Sequence, residues 1–243
     1  MSTATPAYTP ITQHGELTKI LDDVYVVDGS FNMALGVMLI QRTMTIVKRG
    51  DELTIFNSMR LNESVEAELK KLGTVKHLVR MAPGHGCDDG YYLDTYKPTY
   101  WSLEGMKAFA GIRAHDKVLG ADGEFPVPEM KMLVLKNAKE PECVLWIPDS
   151  GGTLITCDFI QNYDGTRGHS SWLGHQLTGL LGFSGVCKCV PLWRSVNGED
   201  HWHDVETLLS WDFENLIPAH GRTKVGGAKR SCEQGLKESF KKT

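Results

Sequence analysis

The sequence lacks the features that direct a protein to a membrane or to nucleic acid. Its first ten residues carry neither a basic start nor an apolar core, and no run of about 18 uncharged apolar residues occurs in the chain. Positive charge is not in excess: 26 Lys and Arg residues stand against 30 Asp and Glu residues, a formal net charge of −4. Neither nucleic acid nor a membrane is therefore an expected partner.

Several common catalytic and metal-binding motifs are also missing. No serine lies in a GxSxG motif, which argues against a serine hydrolase, and no GxxxxGK pattern predicts a phosphate-binding loop. The six cysteines are scattered, and no two pairs have the spacing of a structural zinc site. Cys143 and Cys157 lie in apolar, strand-like runs. This pattern is typical of reduced thiols, so we expect a cytoplasmic protein.

The chain is long enough to bury a substantial core. With 243 residues, 41% of them hydrophobic, we expect a single domain spanning residues 1–243, in which residues 1–15 form an extended N-terminal arm. Short β-branched runs predict strands at residues 24–27, 35–40, 44–48, 53–56, 75–81, 130–135, 143–147 and 153–157. Helices are predicted between Asn62 and Gly73 and at residues 91–96, 170–181, 204–211 and 228–242.

The order of these elements predicts the fold class. Both halves of the chain run from strands through helix to strand, which is typical of an α/β protein. The similarity of the two halves predicts two β-sheets that lie between helices.

Three apolar segments lead into residues that can bind a metal ion. Asp158 follows one strand, His220 follows the run Asn215 to Ala219, and His85 follows the strand at 75–81. Imidazole and carboxylate groups that converge from different strand ends can form a zinc or iron site. Taken singly, each residue has a more ordinary role: Asp158 as a turn cap, His85 in solvent, and His220 in a hydrogen bond within the fold.

Two local motifs resemble those of the metallo-β-lactamase superfamily. Leu154-Ile-Thr-Cys-Asp158 resembles its strand-plus-aspartate motif, Leu216-Ile-Pro-Ala-His-Gly221 resembles its closing histidine motif, and residues 75–90 take the position of its HxHxDH motif. The resemblance implies a four-layer αββα sandwich. It also implies a metal-dependent hydrolase that acts on an ester, thioester, lactone or phosphoester of a small-molecule substrate through a metal-activated water.

The third motif departs from the superfamily pattern. Pro83-Gly-His-Gly-Cys-Asp-Asp-Gly90 has one histidine where HxHxDH has three, and residues 125–147 contain no further histidine. Aligning His85 with the first histidine keeps Cys87 and Asp89 as metal-binding groups. Aligning His85 with the second histidine instead places Pro83, Cys87 and Asp88 at the other positions of the motif. A third alignment, set by strand length alone, places Ala82 and Gly84 at the positions of the first two ligands.

The first alignment, together with the resemblance, implies one metal ion held by His85, Asp89, Asp158 and His220. Asp89 and Asp158 would be the catalytic carboxylates, and Cys87 and Asp88 would be further ligands of a binuclear site. Zinc is the expected metal, with iron and manganese as alternatives. The competing hypothesis is a metal-free binding or scaffold protein on the same fold, in which the aromatic segment 91–101 lines a ligand pocket or a homodimer surface.

Overall fold

The computed structural model describes residues 8–32, 39–109 and 111–242. Its first sheet has seven strands in chain order, antiparallel from the first to the fourth and parallel from the fourth to the seventh. The strands are β1 (Thr18–Leu21), β2 (Val24–Asn32), β3 (Leu39–Arg49), β4 (Glu52–Phe56), β5 (Thr74–Val79), β6 (Thr99–Ser102) and β7 (Lys117–Val118).

The predicted strands at 24–27, 53–56 and 75–81 are confirmed as parts of β2, β4 and β5. The end of the strand predicted at 35–40 and all of the strand predicted at 44–48 belong to one strand, β3, and residues 35–38 lie outside the described residues. Of the predicted N-terminal arm, residues 1–7 also lie outside them. Residues 8–17 form neither helix nor strand, and Gly15 N donates to the carbonyl oxygen of Asp28 in β2 at 2.7 Å.

Helix α1 (Glu63–Leu72) joins the parallel strands β4 and β5. The side-chain oxygen of Asn62 accepts the Val65 N–H at 3.0 Å, which caps the first turn, and Gly73 ends the helix. Val65 and Leu69, four residues apart, are wholly buried. The caps and the apolar face predicted from the sequence are therefore confirmed.

The second half of the chain contains six strands: β8 (Lys131–Val134), β9 (Cys143–Ile147), β10 (Thr153–Thr156), β11 (Gln161–Tyr163), β12 (Gly185–Lys188) and β13 (Asn215–Pro218). The second sheet has four of them in the order β13-β10-β9-β8, and β11 and β12 form a separate two-stranded sheet. The predicted strands at 130–135, 143–147 and 153–157 are confirmed.

Five further helices complete the described chain. The five helices are α2 (Asp89–Tyr96), α3 (Trp172–Leu180), α4 (Pro191–Asn197), α5 (Trp202–Leu209) and α6 (Ala228–Ser239). Four of them correspond to predicted helices, and the short α4 was not predicted. Within the described ranges, none of the helices combines the length and the apolar character needed to cross a membrane.

Three buried apolar clusters divide the molecule into four layers. One contains Leu69 of α1 and Ile55 of β4, so it lies between helices and the first sheet. A second contains Val47 of the first sheet and Ile155 of the second, so it lies between the sheets. The third joins Leu154 of β10 to residues of α5 and α6. The predicted α/β class, with two sheets between helices in an αββα sandwich, is confirmed.

Candidate metal and substrate site

Asp158 and His220 are brought together by strand register. β10 and β13 are parallel, with Thr156 opposite Pro218, so the residues two positions further along each strand stand side by side. Ala219 N continues the pairing by donating to the Thr156 carbonyl oxygen at 2.9 Å. Both polar side chains therefore leave the carboxyl edge of the second sheet, where α/β folds usually place their sites.

Gly221 allows the chain to turn directly after His220. Its φ is +89°, and a Cβ atom at this position would lie 2.2 Å from the carbonyl oxygen of Asn162. Glycine is required here because another side chain would combine a left-handed backbone with a steric clash. The Asn162 N–H donates to the His220 carbonyl oxygen at 3.2 Å, which fixes the histidine backbone against β11.

His85 reaches the site from the first sheet. It ends a short 3₁₀ turn, Pro83–His85, that follows β5. The buried Arg80 holds this turn: its guanidinium donates to the carbonyl oxygens of Ala82 at 3.3 Å and Pro83 at 2.7 Å. The backbone that carries His85 is therefore fixed by a buried cation.

The three side chains meet around the Asp158 carboxylate. His85 Nε2 lies 3.3 Å from Asp158 Oδ2, and His220 Nε2 lies 3.3 Å from Asp158 Oδ1. The two imidazole rings are in edge contact, with centroids 5.0 Å apart. Both histidine side chains are about nine-tenths buried, whereas Asp158 keeps 34% of its side chain exposed. The carboxylate is thus the solvent-facing member of the cluster.

The charge state of this cluster follows from its contacts. Burial by itself raises the pKa of the Asp158 carboxyl, but the facing imidazoles of His85 and His220 outweigh it and hold that pKa well below its usual range. Burial likewise opposes the charged form of His220, yet its contact with Asp158 leaves the pKa of His220 raised. Asp158 is therefore ionised at neutral pH.

The hydrogen bond made by His220 Nδ1 determines whether Nε2 of the neutral ring carries a proton. Nδ1 lies 2.8 Å from the carbonyl oxygen of Gln41, and since a carbonyl only accepts, Nδ1 carries a proton. Neutral His220 therefore presents the lone pair of Nε2 to the Asp158 carboxylate, which is repulsive. The contact is stable only with a proton on Nε2 or with a cation shared by the two groups, so the donor set fits a metal ion.

The other predicted ligands are not brought into this cluster. Asp89 is 1% exposed and accepts hydrogen bonds from the hydroxyls of Ser58 and Tyr100, both at 2.6 Å. Burial raises its pKa in spite of these two donors. Asp88 forms a buried ion pair with Arg42, with Nη2 2.5 Å from Oδ2.

Local backbone geometry separates Asp89 from His85. The first alignment makes ligands of His85, Cys87 and Asp89, which alternate along the sequence, but His85 lies in a 3₁₀ turn and Asp89 is the first residue of α2. Alternate residues share a side only in extended chain, so this alignment does not bring Asp89 to the histidines. Cys87 remains nearby and lines a small cavity together with His85 and His220. Burial raises the pKa of its thiol.

Cys157 is a neighbour that the sequence reasoning did not single out. His85, Cys157 and Asp158 have potential ligand atoms within 4.8 Å of one another. Cys157 is wholly buried, its thiol donates to Asn57 Oδ1 at 3.4 Å, and burial raises its pKa well above the usual value. Only a thiolate binds a metal ion, so Cys157 would have to lose this proton and its bond to Asn57 to become a ligand. The Nε2 atom of His220 faces the other carboxylate oxygen, at 3.3 Å.

Glu142 is a second residue that sequence reasoning missed. It lies between residues 125 and 147, where the superfamily resemblance implies a histidine, and its signal in the sequence is an acidic residue directly before an apolar strand. Its carboxyl accepts hydrogen bonds from Phe159 N and from Trp193 Nε1, both at 2.6 Å. Burial, and then the charge of Asp158, raise the pKa of Glu142 to about 8. The carboxyl is therefore mainly protonated at neutral pH.

The cluster opens into a cavity of about 380 Å³, whose wall includes His85, Asp158 and His220. The aromatic segment 91–101 does not line it. Instead, Tyr92 is buried, with its hydroxyl donating to the Met59 carbonyl oxygen at 2.6 Å.

Solved structures with the same architecture are metallo-β-lactamases. One from Pontibacter korlensis superposes with a TM-score of 0.63 over 95% of this chain and 100% of the other, at 12% identity. This protein has the metallo-β-lactamase fold. The resemblance seen in the sequence is confirmed at the level of fold.

Two further structures with the metallo-β-lactamase fold cover nearly the whole chain. The enzyme from Hirschia baltica matches with a TM-score of 0.60 at 14% identity, over 91% of this chain and 97% of the other. The mono-zinc form of FIM-1 from Pseudomonas aeruginosa matches with a TM-score of 0.58 at 14% identity, over 98% and 99%. No protein-family model and no curated protein sequence matches the chain.

Proposed function

We propose that the protein is a metal-dependent hydrolase with one metal ion held by His85, Asp158 and His220. The observation that carries the proposal is the Asp158 carboxylate, 3.3 Å from an imidazole nitrogen on either side and facing a cavity. Two histidines and one carboxylate are a frequent donor set of catalytic metal sites, because three protein ligands leave positions open for water and substrate.

The donor set favours zinc and also suits iron and manganese. Imidazole binds zinc and iron well, and a carboxylate adds the negative charge that stabilises any of the three divalent ions. The six cysteines are free thiols, which supports a reducing, cytoplasmic location for a single-domain protein.

The metal ion would supply a Lewis acid and a nucleophilic water at neutral pH. The chain's own residues would position the reactants. Gln41 holds His220 in the tautomer with a free Nε2, the Arg80-bound turn fixes His85, and ionised Asp158 accepts a hydrogen bond from the attacking water. The water oxygen would bond to the substrate carbonyl carbon and release one proton, the C–O or C–S bond to the leaving group would break, and the leaving group would take up that proton.

Elemental analysis by mass spectrometry tests the proposal. Protein purified without added metal should contain close to one equivalent of zinc, iron or manganese, and Asp158→Ala and His220→Ala should each lose most of it. His203→Ala is the matched control, because His203 is exposed on α5, and it should keep the metal. Absence of metal after reconstitution, with the protein folded, would refute the proposal.

The alternative is a metal-free binding protein on the same fold. The observation in its favour is that a protonated His220 could pair with Asp158 directly, since the contact raises the pKa of His220. The same analysis separates the two functions. Only the hydrolase requires the metal and loses it on substitution of Asp158.

A further inference from the structure

The cavity beside the proposed metal site has a mainly apolar wall. Phe31 and Ile40 contribute from the first sheet, Phe183 from the segment before β12, and Trp193 and Val196 from α4. The indole of Trp193 is held in place by its hydrogen bond to Glu142 and by contact with Phe159, at a centroid distance of 4.9 Å. The apolar surface is therefore part of a fixed wall.

The charged residues of this wall are of one sign. Glu140 and Asp158 line the cavity together with Glu142, whose carboxyl is mainly neutral, and among the described residues that line it there is no lysine or arginine. Away from the proposed metal ion, an anionic tail such as a phosphate or a free carboxylate would find no lysine or arginine partner in the wall. A neutral, apolar group would be desolvated at little cost.

Two buried polar atoms in the wall lack a partner. Tyr163 is 8% exposed and Gln161 is 4% exposed, and both line the cavity. Tyr163 Oη and Gln161 Oε1 form no hydrogen bond to any described residue. Buried polar atoms are nearly always satisfied, so these two are suited to a ligand that brings its own polar group.

We propose that the cavity binds the apolar acyl group of a neutral ester, thioester or lactone, with a polar group of the same molecule hydrogen-bonded to Tyr163 and Gln161. The scissile carbonyl then lies at the end of the cavity that Asp158, His85 and His220 form. This inference rests on the proposed hydrolase for the reaction, but the binding of the acyl group does not require the metal.

The volume and the rim of the cavity agree with such a group. About 380 Å³ is within the range of small-molecule sites. Leu192 and Val196 are 50% and 46% exposed at the solvent side of α4, so they offer an apolar entrance. Burying an acyl chain there would also cover these two exposed side chains.

Calorimetric binding of three simple probes tests the inference: octanamide, butanamide and octanoate. Octanamide should bind at least tenfold more tightly than butanamide, because each fully buried methylene group strengthens binding roughly fourfold. In protein stripped of metal with a chelator, octanamide should also bind at least tenfold more tightly than octanoate, because the carboxylate then has no metal ion to bind and no lysine or arginine in the wall. Equal binding of the two amides, tighter binding of octanoate to the metal-free protein, or no binding of octanamide at all would overturn the assignment.

Two substitutions locate the site. Val196→Asp should weaken octanamide binding at least tenfold, and Tyr163→Phe should weaken it severalfold while the preference for the longer amide is kept. Leu180→Asp is the matched control, because Leu180 is 83% exposed and does not line the cavity, and it should bind octanamide as the parent protein does. If Val196→Asp does not fold, Leu192→Ser replaces it with the same expectation.

Measuring the metal content of the same samples separates the two proposals. Octanamide binding in a protein that takes up no metal would support the acyl pocket and refute the hydrolase. Stoichiometric metal with no preference for octanamide would refute the acyl pocket and leave the hydrolase standing.

Discussion

Replacing Arg42 by methionine tests how the loop before α2 is stabilised. Arg42 Nη2 lies 2.5 Å from Asp88 Oδ2, and the two side chains are 10% and 1% exposed. Besides Arg42, the carboxylate accepts hydrogen bonds from Arg60 N at 3.2 Å and from the Thr9 hydroxyl. These donors are neutral groups, so Arg42→Met leaves a buried carboxylate without a partner cation.

The expected loss is about 3–5 kcal/mol of unfolding free energy, the usual cost of removing one partner of a buried ion pair. With a urea m-value of about 3 kcal/mol/M for a chain of this size, the unfolding midpoint should fall by about 1–1.7 M. Tryptophan fluorescence during urea titration at neutral pH measures this shift. The double variant Arg42→Met, Asp88→Asn should recover much of the loss, because the uncompensated charge is gone.

An exposed pair provides the control. Lys19 Nζ lies 3.3 Å from Asp22 Oδ1, with both side chains at least half exposed, so Lys19→Met should cost less than about 1 kcal/mol. The reasoning is refuted if Arg42→Met costs no more than Lys19→Met. It is also refuted if the double variant is less stable than either single variant, since the two charges would then not be coupled.

Two further predictions concern Glu142 and the cap of α1. The pKa of Glu142 is about 8 in the folded protein and 4.5 is its ordinary value, so between these values only the folded state keeps the proton. The unfolding free energy of the protein should therefore fall as pH rises from about 5 to 8, by up to about 1.4 kcal/mol per pH unit. In urea titrations at several pH values, Glu142→Gln should make this pH dependence smaller. An unchanged slope would contradict the assignment. Asn62→Ala should cost about 1 kcal/mol by losing the bond to Val65 N, whereas Asn62→Asp should keep most of it. Equal loss in both variants would show that this cap contributes little.

Local pattern was sufficient for many elements of the fold. The apolar spacing of Val65 and Leu69, between Asn62 and Gly73, predicts α1 with its correct ends, since capping and helical periodicity involve only neighbouring residues. The strands β1, β6, β7, β11 and β12 and the helix α4 were not predicted. The strands have two to four residues and the helix has seven, too few for a repeating pattern.

The candidate site was likewise predicted only in part from the sequence. Asp158 and His220 each follow an apolar strand, so the sequence pointed to both, and the parallel register of β10 and β13 places them side by side. Asp89 stands four residues after His85 in the sequence, yet it is bound by Ser58 and Tyr100. Asp89 is the first residue of α2, and the helix directs its side chain to these two hydroxyls and not to His85. Sequence spacing carries no information about the direction of a side chain.

By itself, the sequence determined most of the longer strands and helices, the likeness to the metallo-β-lactamase superfamily, and three of the side chains that meet at the candidate site. Only the tertiary structure decided which neighbours surround the site. Gln41 lies behind His220, and Glu142 and Trp193 line the cavity. Asp88 pairs with Arg42, so it does not join the candidate metal ligands. These contacts join residues far apart in the chain. They depend on tertiary packing, which for Gln41 and His220 is the packing of the two sheets, and local propensities do not encode it.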